Sequence, residues 1–192
     1  MMKAKSQSPK SYKVYRGLAL IELRRNNAAG SVTFAEKALQ LYEADIESYV
    51  LLARAYIRQQ NFAKAFEASA KAIEIDLNNR QAQVVYAEAL AGARGMSVGI
   101  DYVHRLVNTY PTVTEYRMAL GDLYVKDQRY SSAQEVYEQV IRLDEKPKRA
   151  YIELGNIFRI QKRVNEARDA YFAAAKVDPA DVEALFLAGQ LY

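Results

Sequence analysis

Apolar residues along this chain recur at spacings of three and four residues, which places them on one face of a helix. In the segment RAYIELGNIFRIQ, such a face is formed by Tyr151, Leu154 and Phe158. In the segment VNEARDAYFAAAKVD that follows, Ala167 and Tyr171 belong to a second face of the same kind. Because a short polar break separates the two segments, the pattern predicts two helices joined by a short turn.

The helix-pair pattern returns with a period of 34 residues. One column of equivalent positions is mostly large and contains Leu52, Tyr86, Leu120, Leu154 and Ala188. The neighbouring column is small and contains Ala53, Ala87, Gly121, Gly155 and Gly189. A fixed period of this length is typical of stacked helix pairs, in which each pair contacts mainly its neighbours.

The spacing and the residue types resemble the tetratricopeptide repeat family. The match is clear in YVLLARAYIRQQNFAKAFEASAKAIEID and in YIELGNIFRIQKRVNEARDAYFAAAKVDP, and it covers Tyr12 to Tyr192. The resemblance implies an all-α fold, a right-handed superhelical solenoid of antiparallel helix pairs with five pairs plus one extra helix. The predicted units are residues 12–45, 46–79, 80–113, 114–147 and 148–181, with a partial unit at 182–192. Residues 1–11 are expected to be a basic, disordered leader or an expression remnant.

The third unit departs from the others in the segment AGARGMSVG, which contains Gly92, Gly95 and Gly99. Glycine lowers helix stability by about 0.5–1 kcal/mol relative to alanine. We therefore expect the first helix of this unit to end early and the following turn to be loose.

Charge changes this picture only near the N-terminus. The net charge is +4. Residues 1–25 hold seven basic residues and one acid, whereas the rest of the chain holds 20 basic and 22 acidic residues. The basic end is thus a local tail and not a continuous stripe. Binding of nucleic acid or an anionic membrane through residues 1–25 is a remote alternative, and no nucleic-acid partner is expected.

The residues offer little for catalysis. The chain has no cysteine, which excludes thiolate metal sites and cysteine nucleophiles. It has one histidine, His104, and a lone histidine cannot form a multi-histidine metal site. We predict no catalytic residue, no metal site and no cofactor, and hence no enzyme. The apolar runs are too short for a membrane span. A cytoplasmic location is predicted, or a periplasmic or membrane-attached one where an export or anchor segment has been removed.

The family resemblance implies a concave surface formed by the first helix of every unit, where peptides or helices of partner proteins dock. The exposed face of each first helix is the side opposite Leu52 and Tyr56 and their equivalents. The predicted groove residues are Val50, Leu51, Arg54, Val84, Glu88, Met118, Asp122, Ile152, Asn156 and Arg159. An apolar groove with a charged edge suits an amphipathic helix or an extended peptide. The alternative is that the apolar members only wedge neighbouring first helices together.

Chaperone-binding members of the family clamp a carboxylate tail with lysines, asparagines and an arginine on this face. Here the matching positions hold Arg16, but also Leu20, Leu51, Gln81 and Val85. The clamp is largely absent, so the resemblance does not predict a chaperone-tail adaptor.

The last segment, ALFLAGQLY, reads as the first helix of a sixth unit. Leu185, Ala188 and Tyr192 are expected to point towards a second helix that the sequence does not contain. We therefore expect residue 192 to be a cut in a longer array, or a second molecule to cover this face. The main prediction is a protein-binding scaffold that is a fragment of a longer protein. The alternative is a scaffold that self-assembles, as a homodimer, through its C-terminal end.

Overall fold

A computed structural model describes residues 9–180 and 182–191, and all regular structure in these ranges is α-helical. The helices are α1 (Pro9–Arg24), α2 (Ala28–Leu41), α3 (Ile46–Arg58), α4 (Phe62–Ile75), α5 (Arg80–Arg94), α6 (Met96–Thr109), α7 (Thr114–Lys126), α8 (Tyr130–Leu143), α9 (Lys148–Ile160), α10 (Val164–Val177) and α11 (Glu183–Gly189). The predicted all-α class is confirmed. α1 begins three residues before the predicted first unit at Tyr12, while residues 1–8 of the expected leader and Tyr192 lie outside the described residues.

The chain divides into two compact units, with the boundary between Gly99 and Ile100 inside α6. In the N-terminal unit, α1 packs on α2, α3 packs on α4, and α5 lies against α3 and α4. In the C-terminal unit, α7 packs on α8, α9 packs on α10, and α11 lies against α10. Within each unit the helix pairs are stacked consecutively, as predicted from the repeat period.

Two glycines allow the helix pairs of the C-terminal unit to close tightly. A Cβ atom added at Gly121 on α7 would lie 2.4 Å from the ring of Tyr137 on α8. A Cβ atom at Gly155 on α9 would lie at the same distance from the ring of Tyr171 on α10. Both tyrosine side chains are fully buried. The ring therefore lies directly on the backbone of the partner helix, a contact that only a residue without a side chain permits.

Side chains cap the N-termini of helices α2 to α5 in the N-terminal unit. The caps are Asn27 to the Gly30 amide, Asp45 to the Ser48 amide, Asn61 to the Lys64 amide and Asn79 to the Ala82 amide. Each side-chain oxygen satisfies an amide that the first helical turn leaves without a partner. The described helices α7 to α11 of the C-terminal unit begin without a side-chain cap.

The glycine-rich segment differs from the prediction. α5 does not end early but runs for 15 residues, against 13 in α3. A Cβ atom at Gly92 would lie 2.1 Å from the ring of Phe62, so this glycine makes room for a tertiary contact within the helix. Gly95, with φ of 111°, ends α5, and α6 begins at the next residue. The turn is therefore tight and not loose, because glycine adopts this backbone conformation without a steric penalty.

Candidate functional site

Within the described ranges, no three histidine, aspartate or glutamate side chains come together in a way that could hold a metal ion. None of the helices in those ranges combines the length and the apolar character needed to cross a membrane. His104 lies with Nε2 2.7 Å from the hydroxyl oxygen of Tyr124, within the C-terminal unit. Its hydrogen-bond partner is thus a neighbouring tyrosine.

The N-terminal unit contains a pocket of about 520 Å³, which we call the basic pocket. It is lined by Lys13, Arg16, Gly17, Leu20 and Arg24 on α1, by Glu47, Val50, Leu51 and Arg54 on α3, and by Gln81 on α5. These three helices are the first members of successive repeat units. The basic pocket is therefore formed on the face where the sequence predicts the groove.

Two predicted groove residues form the floor of this pocket. Val50 is 3% exposed and Leu51 is 6% exposed. The prediction that these side chains lie on an exposed face is wrong, because α1 and α5 both pack against α3 and cover them. They still line the basic pocket beside Leu20, which is 37% exposed. Medium-sized apolar side chains at this place both join the first helices and provide an apolar base.

The rim of the basic pocket is mostly cationic. Arg16 is held in place by two carboxylates, Asp45 at 3.0 Å and Glu47 at 2.9 Å. Asp45 is buried and also caps α3, so it ties the position of the Arg16 guanidinium to the start of that helix. Lys13 and Arg24 are exposed on the same face of α1. The described lining thus carries four basic side chains, and its one acid, Glu47, pairs with Arg16.

Gly17 lines the basic pocket without a side chain. It lies on α1 between Lys13 and Leu20, at helical spacings that place all three on one face. No heavy atom lies within 4 Å of the position that a Cβ atom would take, apart from the helix's own backbone and the immediate chain neighbours. A Cβ atom here would therefore lie in open space beside the pocket and contact none of the protein around it.

Two predicted groove residues on α5 lie beyond the pocket. Val84 and Glu88 are half-buried, and the lining contains Gln81 from the first turn of α5 but neither of these two. Arg54 on α3 is half-buried and does line the pocket. The N-terminal turn of α5 is the part of that helix that reaches the site.

In the C-terminal unit, buried tyrosines hold the predicted polar groove residues. The Tyr137 hydroxyl donates to Oδ1 of Asp122 at 2.8 Å, and the Tyr171 hydroxyl donates to Oδ1 of Asn156 at 2.9 Å. Burial raises the pKa of Tyr137, and the nearby negative charge of Asp122 raises this pKa further. Burial likewise raises the pKa of Tyr171. Each neutral tyrosine thus fixes a polar group on the face of the preceding helix.

The same two polar residues have partners on the surface. The Arg149 guanidinium donates to Oδ2 of Asp122, and the Asn156 amide donates to Glu153 at 3.2 Å. Arg159 is exposed near the end of α9. This leaves a polar surface on α7 and α9 with fixed hydrogen-bonding geometry.

The apolar groove residues predicted in the C-terminal unit are largely core residues. Met118 is 7% exposed, so the prediction that it is an exposed groove residue is wrong. It belongs to a run of buried side chains on α7 that are enclosed within the unit. Ile152 is half-buried and packs against the cluster of Ala174, Ala175 and Ala184. The burial of these two residues favours the alternative, in which they pack between helices, over an exposed apolar surface.

The C-terminal helix α11 exposes part of its apolar surface. Leu185 is 45% exposed and Phe186 is 65% exposed. A cavity of about 610 Å³ lies beside Leu185 and Phe172. Ala188 was expected to point outward, but it is buried against Ala167 and Tyr171 because its small side chain lies on the face that packs on α10. Tyr192, the third predicted self-contact residue, lies outside the described residues.

Sequence reasoning missed several residues of the basic pocket. The sequence places Arg16 on the face of the first helices but assigns Lys13 and Arg24 only to a basic tail, although the spacings of three and eight residues place all three near one face of a helix. The sequence does not identify Gly17 as a pocket residue, because the role of a glycine inside a helix depends on where the neighbouring helices lie. The helical spacing of the basic residues is the signal that would have found the rim.

Sequence comparison finds one family. Two sequence models, both described as tetratricopeptide repeat, match residues 46–79 and residues 118–181. Together these ranges make up just over half of the chain. No curated protein sequence matches the chain.

Several solved structures are similar to the chain. A thermophilic TPR protein of Thermus thermophilus has a TM-score of 0.75 at 16% identity, with 94% of this chain and 98% of that chain covered. PilF of Pseudomonas aeruginosa has a TM-score of 0.62 at 20% identity, with 95% and 83% covered. YrrB, described as a TPR protein with an unusual peptide-binding site, has a TM-score of 0.53 at 19% identity, with 90% and 89% covered. At these identities the likeness concerns the fold alone.

Proposed function

Since the chain belongs to the tetratricopeptide repeat family, we propose that it is a non-enzymatic scaffold that binds a peptide or helix of a partner protein on its first helices. The fold itself supports a protein–protein interaction scaffold. The observation that carries the finer proposal is the basic pocket, which α1, α3 and α5 form together. Its apolar floor and polar rim match the composition of surfaces that take amphipathic segments.

The size of the pocket supports a side-chain anchor. About 520 Å³ is within the range of sites that bury a small ligand, and it exceeds the volume of any one amino-acid side chain. A bound segment would place one or two side chains over Val50 and Leu51 and continue along α3 past Arg54. The peptide-binding site named for YrrB is further support, since YrrB shares the fold.

The C-terminal unit offers a surface of its own, which is polar. Asp122 and Asn156 are fixed by buried tyrosines, and Arg149 and Arg159 are exposed beside them. Groups with fixed geometry bind a peptide backbone at a lower entropic cost than mobile side chains do. We propose that this polar surface makes hydrogen bonds with a bound segment, and that the basic pocket of the N-terminal unit is a separate site that holds an apolar side chain.

The test uses Gly17→Leu, which fills the basic pocket. A library of random twelve-residue peptides, displayed and selected on the wild-type protein, is expected to yield binders that Gly17→Leu no longer captures. Leucine is a better helix former than glycine by about 0.8–1 kcal/mol, so the variant should not unfold more easily. Gln40→Leu, at an exposed position on α2, is the matched control and should capture the same peptides. Equal capture by wild type and Gly17→Leu would contradict the groove.

A second candidate function is self-assembly through the C-terminal end. The exposed side chains of Leu185 and Phe186 and the cavity beside them favour it, since apolar surface of this kind marks interaction sites. The expected result is a mass that increases with protein concentration in light scattering and that returns to the monomer mass in Phe186→Asp. A monomer mass throughout the concentration range would contradict self-assembly and leave the peptide-binding proposal in place.

A further inference from the structure

The exposed face of α10 carries an acid, an aromatic ring and a base in that order. Asp169, Phe172 and Lys176 follow each other at spacings of three and four residues, which places them on one face of the helix. The Asp169 side chain is 70% exposed, Phe172 is 39% exposed, and Lys176 is exposed as well. The two charges are separated by two helical turns, or about 10 Å along the helix axis, with the ring between them.

This face of α10 opens onto the cavity of about 610 Å³ in the C-terminal unit, which we call the C-terminal cavity. Its lining consists of Asp169, Phe172, Ala175, Lys176, Pro179 and Leu185. Leu185 brings α11 into the lining, and its neighbour Phe186 is 65% exposed. Large apolar side chains exposed side by side mark a surface that another molecule covers.

The charges of the C-terminal cavity restrict the molecule that covers it. The described lining contains one acid, Asp169, and one base, Lys176. A partner surface of a single charge sign would be attracted by one of these side chains and repelled by the other. The complementary surface therefore carries both signs, in the reverse order along its length, around an apolar centre.

A second copy of this chain has such a surface. When two copies of α10 lie antiparallel about a two-fold axis near Phe172, Asp169 of each copy faces Lys176 of the other. The same symmetry brings the two Phe172 rings together over the C-terminal cavities. Every group in this arrangement meets a group that it favours, because a two-fold contact pairs each residue with its counterpart twice.

Asp169 has a neighbour within its own chain as well. The Arg168 guanidinium lies 3.6 Å from Oδ1 of Asp169. This distance is longer than that of a hydrogen-bonded ion pair, and exposed pairs of this kind contribute little. The carboxylate is therefore still accessible to a lysine from a second molecule.

We infer that two copies of this chain associate through α10 in antiparallel orientation, with the Phe172 rings at the two-fold axis and with reciprocal ion pairs between Asp169 and Lys176. This inference rests on the proposed self-assembly through the C-terminal end, and it names the helix, the symmetry and the charge pairs. The apolar side chains around the cavity contribute the affinity, while the two ion pairs fix the antiparallel orientation.

The experiment reverses the two charges separately and then combines them. Asp169→Lys and Lys176→Asp should each raise the dissociation constant of the dimer by about tenfold, since two-fold symmetry creates two like-charge contacts in either variant. An equimolar mixture of the two variants should dimerise as tightly as wild type, because one copy then carries two bases at these positions and the other carries two acids. Sedimentation equilibrium over a range of protein concentrations measures all four samples.

Matched controls make the same charge changes elsewhere in the C-terminal unit. Asp127→Lys and Lys162→Asp lie at exposed positions outside the lining of the C-terminal cavity. Both should dimerise like wild type, and circular dichroism should give the same helical content for all variants. A loss of dimer in these controls equal to that in the α10 variants would overturn the inference, because net charge would then be the cause.

The remaining outcomes separate this inference from the self-assembly on which it rests. A wild-type dimer that neither reversal weakens would overturn the inference and leave self-assembly in place through another surface. A mixture that stays monomeric would overturn the reciprocal pairing. A mass that rises beyond the dimer would overturn the two-fold symmetry, since such a contact closes at two copies. A wild-type protein that is monomeric throughout would contradict self-assembly itself and leave the cavity to a segment of a different protein.

Discussion

The two units close their helix pairs in different ways. In the C-terminal unit, the ring of Tyr137 lies on the backbone of Gly121. Two repeat periods earlier, in the N-terminal unit, the equivalent residues are Ala53 and Ser69, and both are fully buried. The same place is thus filled differently, with a methyl group and a small side chain in one unit and a bare backbone and a ring in the other. Tyrosine with glycine is the larger combination, so the close packing of the two units is reached with different side-chain volumes at this place.

This difference in packing changes the surface. The Tyr137 side chain is long enough to extend from α8 across α7, where its hydroxyl donates a hydrogen bond to Asp122. Ser69 cannot reach that far, and its hydroxyl donates instead to the backbone oxygen of Phe66 in its own helix. The residue equivalent to Asp122 in the N-terminal unit, Arg54, therefore lines an open pocket without a buried tyrosine behind it. One unit presents anchored polar groups, and the other presents a basic pocket.

The strongest test of this comparison converts one arrangement into the other. Tyr137→Ser should lower the free energy of unfolding by roughly 3–5 kcal/mol, since it removes a fully buried ring and leaves a cavity over Gly121. Urea denaturation followed by circular dichroism measures the change. Ser69→Ala, at the equivalent place in the N-terminal unit, is the control and should have a much smaller effect.

The coupling between the two positions makes the test sharper. Gly121→Ala alone should cost about 1–3 kcal/mol, because its Cβ atom would overlap the Tyr137 ring. In the Tyr137→Ser background the ring is gone, and the same alanine should be neutral or stabilising. The double variant then reproduces the alanine and serine of α3 and α4. Additive effects of the two substitutions would show that the ring and the glycine are not coupled.

A smaller effect is expected from the helix caps, which distinguish the units in a second way. Asn61→Ala should lower the free energy of unfolding by about 1 kcal/mol, since the Lys64 backbone amide loses the side-chain oxygen to which it donates a hydrogen bond. Asn61→Asp keeps that oxygen and is the control. At the equivalent position of the C-terminal unit, Arg129 makes no side-chain cap and its guanidinium lies 4.5 Å from the centroid of the Tyr124 ring. Equal stability of Asn61→Ala and Asn61→Asp in thermal unfolding would show that the side-chain cap does not contribute to the difference between the two units.

The sequence predicts the helix pairs well because their determinants are local and repeated. The alternation of Gly121 and Tyr137, and of Gly155 and Tyr171, returns with the period and specifies which helices pack. The glycines of the third unit were misread because helix propensity is a weak effect that a tertiary contact can override. The ring of Phe62 packs against the backbone of α5 at Gly92, where a side chain would overlap it. Phe62 is 30 positions away in the sequence, so a local pattern does not predict this contact.

The candidate site was predicted only in part. Helical rotation identifies which face of α3 carries Val50 and Leu51, but it does not give their depth, which depends on how closely α1 and α5 approach. The same limit applies to Met118 in α7. The sequence therefore predicts the direction of a side chain better than its exposure.

The smallest effect concerns the hydroxyl of Tyr137. Tyr137→Phe should lower the free energy of unfolding at pH 7 by only about 0.5–1 kcal/mol, since Asp122 keeps its pairing with Arg149 when the hydrogen bond is lost. Tyr42→Phe, which removes a hydroxyl from an exposed ring, is the control. Both variants are compared with wild type by urea denaturation at a series of pH values.

The pH dependence gives this small effect a distinctive sign. In the unfolded chain a tyrosine ionises near pH 10, whereas in the folded protein burial and then the charge of Asp122 raise the pKa of Tyr137. The stability contributed by the neutral hydroxyl is therefore complete below about pH 10 and falls above it, by up to ~1.4 kcal/mol per pH unit. Wild type should be the more stable protein at pH 7, and Tyr137→Phe should become the more stable one by about pH 11. Stability curves that stay parallel between these two pH values would mean that the buried hydroxyl is not held in its neutral form, and that Asp122 is not anchored through it.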